Sequence, residues 1–375
     1  MVALVLGLVV IGGVALALVR GGDTDEPAAA GSRAVPAEGP REITVSFTGA
    51  DGLALRGALR VPEGADGLVP GVVIIPGFGP TTRDGVAPPG GTPDPLYRDL
   101  SRALAEAGVA SLRYDKRGTG ESVMEADQPR SFDDMVEDAA AAFTFLGERV
   151  EVDPESVGVV GHDEGGLTAL RLAATELPVG ALVLVATPGR PLVDVLADDF
   201  VASSEEPGHG EEHAEELRAV VGELIATGEL PNPGSMRSAL RPIFPAGEEE
   251  YLRAIFSLDP AEEAADVAAP TLVVRGGADP GVSAEDAELL VGALRGDTDV
   301  LVGAQAGHTL AIADADADAD ADGDDDDDDD GDGDATGGDA AHDPNVHGGA
   351  AVASARDDDL LSEVGAWVAD TLGVE

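Results

Sequence analysis

The sequence predicts an α/β protein whose central, mostly parallel sheet is flanked by helices on both faces. Two observations support this class. Strand and helix patterns alternate along the chain, and one apolar strand leads through a tight turn directly into a helix, "VGVVGHDEGGLTALRLAA" at residues 157–174. The alternating patterns are a strand "VVIIP" (72–76), a helix (96–108), a strand (109–114), a helix (132–146) and a strand (156–161). Strands joined by helical crossovers lie parallel, so the helices must cover both faces of the sheet.

The remaining patterns extend and close this sheet. Residues 42–47 and 53–61 alternate polar and apolar side chains, which is typical of edge strands. Further strands are predicted at residues 180–186, 271–276 and 298–303, and an amphipathic helix at 360–373. The predicted core comprises residues 41–188 and 267–375. Residues 189–266 are helical and acidic, and we predict that they form a lid; a structural excursion without a role in substrate choice is the alternative.

The chain is strongly acidic. It has 375 residues and a formal net charge of -51 at pH 7, and its 22 basic residues include a single lysine, Lys116. No basic patch exists to neutralise phosphates, which argues against nucleic acid as a partner. Self-repulsion weakens in concentrated salt, because the Debye length falls to about 3 Å at 1 M. The composition favours a salt-adapted organism, with a coding bias unrelated to salt as the alternative.

An uncharged segment opens the chain. Residues 2–19 carry no charged side chain, and as a helix they would span about 27 Å, enough to cross the hydrocarbon of a bilayer. Residues 1–20 therefore predict a transmembrane anchor or a signal segment, and residues 21–40 a flexible linker. We expect an extracytoplasmic protein, either anchored in the cell membrane or secreted. Cleavage, orientation and oligomeric state stay open.

A low-complexity acidic run lies near the carboxyl end. Fourteen aspartates fall between positions 314 and 334, and this self-repelling composition predicts a disordered loop over residues 311–355 within the core. A partial match to a calcium-binding loop consists of Asp318, Asp320, Asp322, Gly323 and Asp324. Its twelfth position is Asp329 where glutamate is required, and no helices flank it. We predict no metal site, with a calcium loop as the alternative; the lack of cysteine excludes thiolate ligands and disulfides.

The turn at residues 161–165 has the pattern G-x-D-x-G. This pattern describes a sharp strand-to-helix turn that needs small residues, because its central side chain is pushed into the open. Asp163 is therefore a candidate nucleophile or base at the carboxyl end of a strand, the edge at which open α/β sheets bind ligands.

Two more strand ends carry groups that complete a catalytic set. Asp279 follows the strand 271–276, and His308 follows the strand 298–303. With Asp163 they occur in the order nucleophile, acid, base. His308 is the only one of the six histidines placed to act as a general base.

Backbone N–H groups near Asp163 are candidates to bind a developing oxyanion. The glycine-rich loop "PGFGPTTRDG" follows the strand 72–76. The N–H of Phe78 is one candidate donor, and the N–H of Glu164, directly after the turn, is the other. Only the backbone of these two residues enters this prediction.

Six motifs carry a family resemblance: "PGFGPTTRDG", "LRYDKRGTGES", "GHDEGG", "TPGRPL", "GGADPGVS" and "AGHTL". From about residue 42 to the carboxyl end, apart from the aspartate run, the chain resembles an α/β-hydrolase of the bacterial esterase and serine aminopeptidase-like branch. The resemblance implies the α/β-hydrolase fold and hydrolysis of a small ester-like substrate without a cofactor. It also implies a triad of Asp163, Asp279 and His308, with Phe78 and Glu164 as oxyanion donors.

Asp163 departs from this branch, which normally has serine at the centre of the turn. A carboxylate that attacks an ester forms an anhydride, which is uphill, whereas displacement at saturated carbon forms an alkyl-enzyme ester that activated water can hydrolyse. Turns with aspartate resemble those of epoxide hydrolases and haloalkane dehalogenases. Of the three tyrosines only Tyr251 lies in the predicted lid to protonate an epoxide, and the sole tryptophan, Trp367, lies in the last helix.

Three interpretations of the chemistry stay open. The first is hydrolysis of a small ester-like substrate, including direct activation of water by Asp163 and His308 without a covalent intermediate. The second is an epoxide- or haloalkane-type hydrolase that forms an alkyl ester on Asp163. The third is a catalytically inactive relative that binds a ligand or partner.

Overall fold

The computed structural model describes residues 41–65, 67–85, 94–125, 128, 130–204, 206–312 and 355–374. Three predictions lie outside these residues: the anchor or signal segment 1–20, the linker 21–40, and the aspartate run with its calcium-loop pattern. In the described part of the chain, no helix has both the length and the apolar character of a membrane span. The described residues also bring together no group of three or more His, Asp or Glu side chains that could hold a metal ion.

An eight-stranded sheet forms the centre of the fold. Its strands are β1 (Arg41–Thr48), β2 (Ala54–Val61), β3 (Val69–Ile75), β4 (Ala110–Tyr114), β5 (Val152–His162), β6 (Leu182–Val185), β7 (Thr271–Gly276) and β8 (Thr298–Gly303). They lie in the order β1-β2-β4-β3-β5-β6-β7-β8. The pairs β1–β2 and β2–β4 are antiparallel, and the other pairs of this sheet are parallel. The predicted mostly parallel sheet is confirmed.

Helices cover both faces of the sheet. They are α1 (Leu96–Glu106), α2 (Phe132–Gly147), α3 (Glu164–Ala173), α4 (Leu192–Ser203), α5 (His209–Thr227), α6 (Glu249–Phe256), α7 (Pro260–Ala264), α8 (Ala284–Ala293) and α9 (Asp358–Thr371). Helices α1 and α9 share an apolar cluster on one face, and α2, α3 and α8 contribute to a larger cluster on the other. Successive side chains of β3 point into opposite clusters; Val73 lies in one and Ile74 in the other, and both are almost fully buried. Burial on both faces explains the apolar run in this strand.

Between β6 and β7 the chain leaves the sheet and forms α4 to α7. These helices bury apolar side chains such as Leu217 and Ile255 in the same cluster as the larger face of the sheet. An ion pair of 2.5 Å between Arg171 on α3 and Glu263 on α7 also joins them to the core. The segment 189–266 is therefore helical and packed against the sheet layer, and its role as a lid stays a prediction.

A short antiparallel pairing flanks the acidic segment. β9 (Ala311–Ile312) pairs with β10 (Ala355–Arg356), so the two ends of the segment 313–354 lie side by side. Because these ends meet, the length of the segment can change at little cost to the surrounding fold. His308 and α9 can therefore belong to one core although the acidic segment lies between them in the sequence.

A buried ion pair joins the loop after β4 to α2. Arg117 is fully buried and donates to both carboxylate oxygens of Asp138 at 2.8 and 2.9 Å. Asp138 also accepts the N–H of Ala50 at 2.8 Å. One carboxylate therefore ties together the loop after β4, α2 and the turn between β1 and β2.

We predict that Asp138→Ala lowers the free energy of unfolding by about 3 kcal/mol. The substitution leaves a fully buried guanidinium whose remaining ion-pair partner is Asp134, 3.3 Å away. Arg295 provides a control, because its pair with Asp266 lies in solvent, and Arg295→Met should cost at most about 1 kcal/mol. Urea denaturation measures both variants, and equal losses would contradict the structural role of the buried pair.

Candidate active site

Asp163 lies at the tip of the turn between β5 and α3. Its backbone angles, φ 53° and ψ -120°, fall in a region that residues with a side chain rarely adopt. A Cβ at Gly161 would lie 2.4 Å from the carbonyl oxygen of Gly165, and one at Gly165 would lie 2.3 Å from that of Ile75. Here β5, α3 and β3 meet backbone against backbone, and this contact holds Asp163 in its strained conformation.

Asp279 and His308 form a hydrogen-bonded pair in the loops after β7 and β8. Nδ1 of His308 lies 2.9 Å from Oδ2 of Asp279. Oδ1 of Asp279 accepts the N–H groups of Gly281 and Val282 at 3.0 and 3.1 Å, which fixes the orientation of the carboxylate. A carboxylate on Nδ1 makes Nε2 the ring nitrogen through which His308 would exchange protons with a substrate.

Nearby carboxylates keep the ring of His308 protonated at neutral pH. Burial would lower its pKa, but Asp279, together with Asp163 and Asp199, outweighs burial and raises the pKa of His308 to about 9. Burial would likewise raise the pKa of Asp279, but the charge and hydrogen bond of His308 hold that pKa below its ordinary value. The resting pair is therefore a carboxylate and an imidazolium.

The predicted oxyanion loop contacts the residue at the centre of the turn. The N–H of Phe78 donates to Oδ2 of Asp163 at 3.0 Å, and Glu164 begins α3 directly after Asp163. The amino end of α3 adds a partial positive charge that favours an anion at this place. One oxygen of the Asp163 carboxylate thus lies where an oxyanion bound to Phe78 would lie.

His162 links the turn to the segment that carries the base. The hydroxyl oxygen of Tyr97 accepts the N–H of Gly77 at 2.8 Å, so the hydroxyl hydrogen is directed to Nδ1 of His162, 3.0 Å away. This assigns the ring hydrogen of His162 to Nε2, which donates to the carbonyl oxygen of His308 at 3.3 Å. Burial, followed by the charge on His308, lowers the pKa of His162 to about 4, so the ring stays neutral. Sequence analysis gave this histidine no role.

Sequence analysis also missed the side chains beneath the oxyanion loop. Glu164 is buried, and its carboxylate accepts from Nζ of Lys116 at 3.2 Å and from the O–H of Tyr251 at 2.5 Å. Lys116 also donates to the carbonyl oxygen of Gly77 at 2.8 Å. The side chain of Glu164, which has no part in the predicted oxyanion donation, therefore belongs to a buried ion pair. The one signal in the sequence was that Lys116 is the single lysine of the chain.

The positions of Tyr251 and Trp367 bear on the two specialised chemistries. Tyr251 of α6 reaches the turn, but its O–H is directed to Glu164. Burial, with the charge of Glu164, raises the pKa of Tyr251 well above its ordinary value. The ring N–H of Trp367 donates to Asp299 at 2.9 Å, near the start of β8 and at the opposite edge of the sheet from Asp163. Neither residue is positioned as the epoxide or halide helper that those activities use.

Arg190, near the start of the segment 189–266, contacts the loop that carries Asp279. Its guanidinium donates to Oδ1 and Oδ2 of Asp286, at 3.1 and 2.9 Å, and to the carbonyl oxygen of Gly281 at 3.1 Å. Gly281 in turn donates its N–H to Asp279. Arg190 therefore links the start of the segment 189–266 to the loop that carries Asp279.

The fold of this chain is similar to that of solved structures. A strand-to-helix turn at Asp163, followed along the chain by Asp279 and His308 after later strands of the sheet, is the arrangement of an α/β-hydrolase. The solved structure of the DcsB complex with its substrate analogue aligns with a TM-score of 0.51 and 18% identity, over 72% of this chain and 92% of that chain. The chain has the α/β-hydrolase fold. Identity this low carries over the fold alone.

Sequence comparisons find esterase and transferase relatives of this chain. A family model described as serine aminopeptidase, S33, matches residues 95–204. Esterase EstD of Thermotoga maritima is 29% identical over 265 residues, which cover 70% of this chain and 57% of that protein. Polyketide transferase claH of Penicillium crustosum is 34% identical over 140 residues, 36% of this chain and 41% of that protein. The chain spans about half the length of these curated relatives.

We expect the two neighbouring histidines of this site to titrate far apart, His308 near pH 9 and His162 near pH 4. NMR of the ring protons measures both. A histidine whose folded pKa is raised stabilises the fold fully below its unfolded value of about 6.5, and this contribution is lost as the pH rises through 9. Asp279→Asn should lower the pKa of His308, because it removes the largest stabilising charge. A folded pKa near 6.5 for His308 in the unsubstituted protein would contradict the ionised pair.

Proposed function

We propose that this chain is an extracytoplasmic hydrolase of small ester-like substrates, and that Asp163, Asp279 and His308 carry the reaction. The observation that supports this most is the 2.9 Å hydrogen bond between Asp279 and His308 at the sheet edge where Asp163 lies. The ring of His162, the neighbour of Asp163, is centred 5.0 Å from that of His308. The esterase among the relatives adds support. Export or anchoring rests on residues 1–20 alone.

With a carboxylate at position 163, the ester route proceeds by direct attack of water. Asp163 takes a proton from water while the water oxygen bonds to the carbonyl carbon, because attack by the carboxylate itself would give an anhydride. The substrate oxygen takes the place of Oδ2 of Asp163 at the N–H of Phe78, and this N–H and that of Glu164 stabilise the oxyanion. The imidazolium of His308 protonates the departing alkoxide, and the proton on Asp163 then returns to His308. The products are a carboxylic acid and an alcohol.

Displacement at saturated carbon is a second candidate, favoured by the 3.0 Å bond from the N–H of Phe78 to Oδ2 of Asp163. One carboxylate oxygen already lies at the oxyanion donor. Attack by the other oxygen on a C–O or C–halogen bond expels the alkoxide or halide and forms an alkyl ester. Ester formation also removes the charge of Asp163, which helps to raise the pKa of His308. The imidazolium of His308 gives its proton to the expelled alkoxide, or to solvent when a halide leaves, and the neutral ring then activates the water that hydrolyses the ester.

A single turnover in oxygen-18 water distinguishes these routes. Enzyme in excess is mixed with p-nitrophenyl esters, epoxides and haloalkanes in turn, and the peptide containing Asp163 is weighed by mass spectrometry. We expect ester turnover with an unlabelled peptide, because direct water attack places the label in the released acid. A labelled peptide would assign the reaction to the alkyl-ester route. Failure to turn over any compound would contradict both routes and leave a ligand-binding relative.

Substitution at the centre of the turn gives a second test. We expect Asp163→Ser to form a covalent adduct at residue 163 with an alkyl fluorophosphonate, because it supplies a hydroxyl beside His308 and the Phe78 donor. The double substitution Asp163→Ser with His308→Ala is the control and should not react. His308→Ala alone should lower kcat for esters by about 10² to 10⁴-fold. Intact-mass measurement reads the adduct, and its absence from Asp163→Ser would contradict the assigned site.

A further inference from the structure

One peptide unit carries the oxyanion donor, and buried groups hold both of its ends. Its N–H, that of Phe78, donates to Asp163 at 3.0 Å. Its carbonyl, that of Gly77, accepts from Nζ of Lys116 at 2.8 Å. Because a peptide unit is planar and trans, its C=O and N–H point in opposite directions. A cation fixed on the carbonyl side therefore directs the N–H toward Asp163.

This peptide unit needs an external constraint because it begins at a glycine. A Cβ at Gly77 would lie 2.9 Å from Nδ1 of His162 and 3.2 Å from the Cβ of Asp163, so the packing of the turn requires glycine here. Glycine leaves the backbone free to rotate. The hydroxyl oxygen of Tyr97 accepts the N–H of Gly77, and the bond from Lys116 acts on the carbonyl that shares a plane with the donor.

Lys116 is itself held in place. It is 4% exposed, and Oε2 of Glu164 lies 3.2 Å from its Nζ. Thr119 donates its hydroxyl to the carbonyl oxygen of Lys116 at 2.8 Å, and the carboxylate of Asp115 accepts the N–H of Arg83 at 2.9 Å. These bonds tie the loop after β4 to the oxyanion loop. Burial lowers the pKa of Lys116, and the charge of Glu164 opposes this effect.

Glu164 is connected to both candidate oxyanion donors. Its backbone N–H is the second candidate donor, and its side chain pairs with the cation beneath the first donor. Its other carboxylate oxygen accepts the O–H of Tyr251 on α6 at 2.5 Å. The ion pair is therefore connected to both donors, through the carbonyl of Gly77 on one side and through Glu164 itself on the other. Tyr251 connects it to the helical segment 189–266.

We propose that the buried Lys116–Glu164 ion pair is a brace for the oxyanion hole, in which Lys116 is a positioning residue that sets the direction of the Phe78 N–H. Only the kinetic consequence of this brace rests on the proposed function. A purely structural ion pair would lower thermal stability when broken but would change neither the Phe78 hydrogen bond nor kcat.

Amide NMR tests the brace without requiring turnover. The chain has eight phenylalanines, so labelling with [¹⁵N]phenylalanine gives eight backbone signals, and Phe78→Leu identifies that of Phe78. In Lys116→Met we expect this signal to move upfield and its hydrogen exchange to accelerate about tenfold or more. Glu164→Gln keeps the backbone donor and should change the signal in the same direction; it carries the test if Lys116→Met does not fold.

Arg171→Met is the matched control, since it breaks the ion pair with Glu263 on α7 but touches neither donor. It should leave the Phe78 signal and its exchange unchanged. An unchanged Phe78 signal in folded Lys116→Met would overturn the proposal. So would an equal change in Arg171→Met, because the effect would then reflect general loosening of the fold.

Ester kinetics supply the second readout. We expect Lys116→Met to lower kcat by about tenfold to hundredfold with little change in KM, because oxyanion donors act mainly in the transition state. Arg171→Met should retain both constants. A lower melting temperature with unchanged kcat in Lys116→Met would overturn the brace. If the unsubstituted protein hydrolyses no ester, the proposed function fails, and the amide signal still decides whether the brace exists.

Discussion

The tight turn at Asp163 is the constraint on which the rest of the site depends. A residue with a side chain keeps φ 53° and ψ -120° there, and such strain persists only where the surrounding structure over-determines it. Gly161 and Gly165 let the backbones of β5, α3 and β3 meet at distances that no Cβ would allow. That one contact sets the Asp163 carboxylate against the Phe78 N–H and starts α3 at the next residue.

The carboxylate at position 163 affects the protonation of the neighbouring histidine. A serine hydroxyl is neutral at rest, whereas Asp163 joins Asp279 and Asp199 in raising the pKa of His308 to about 9. In the proposed ester route His308 therefore begins as an acid, and Asp163 is the base. This inverts the resting protonation expected of a serine and histidine pair.

Much of the fold and the candidate triad could be predicted because their signals are local. The apolar run of β3 and the alternation in β1 and β2 report burial directly through side-chain period. Asp279 and His308 each follow a strand, and parallel strands end at one edge of a sheet, so their proximity follows from topology. The contacts of Lys116 and Tyr251 carried no such signal, because they depend on distances between segments far apart in the chain.

The sequence by itself determined the element order, the parallel sheet, the strained turn and the residues that meet at its edge, because each depends on periodicity or on position relative to a strand. Only the tertiary structure decided what surrounds those residues. It assigned an oxygen of Asp163 to the N–H of Phe78 and Lys116 to the carbonyl of Gly77, and it directed the O–H of Tyr251 to Glu164. Hydrogen bonds of this kind depend on atomic positions to within a few tenths of an ångström. Only tertiary packing defines positions this closely, because the partners lie on β3, the loop after β4, α3 and α6.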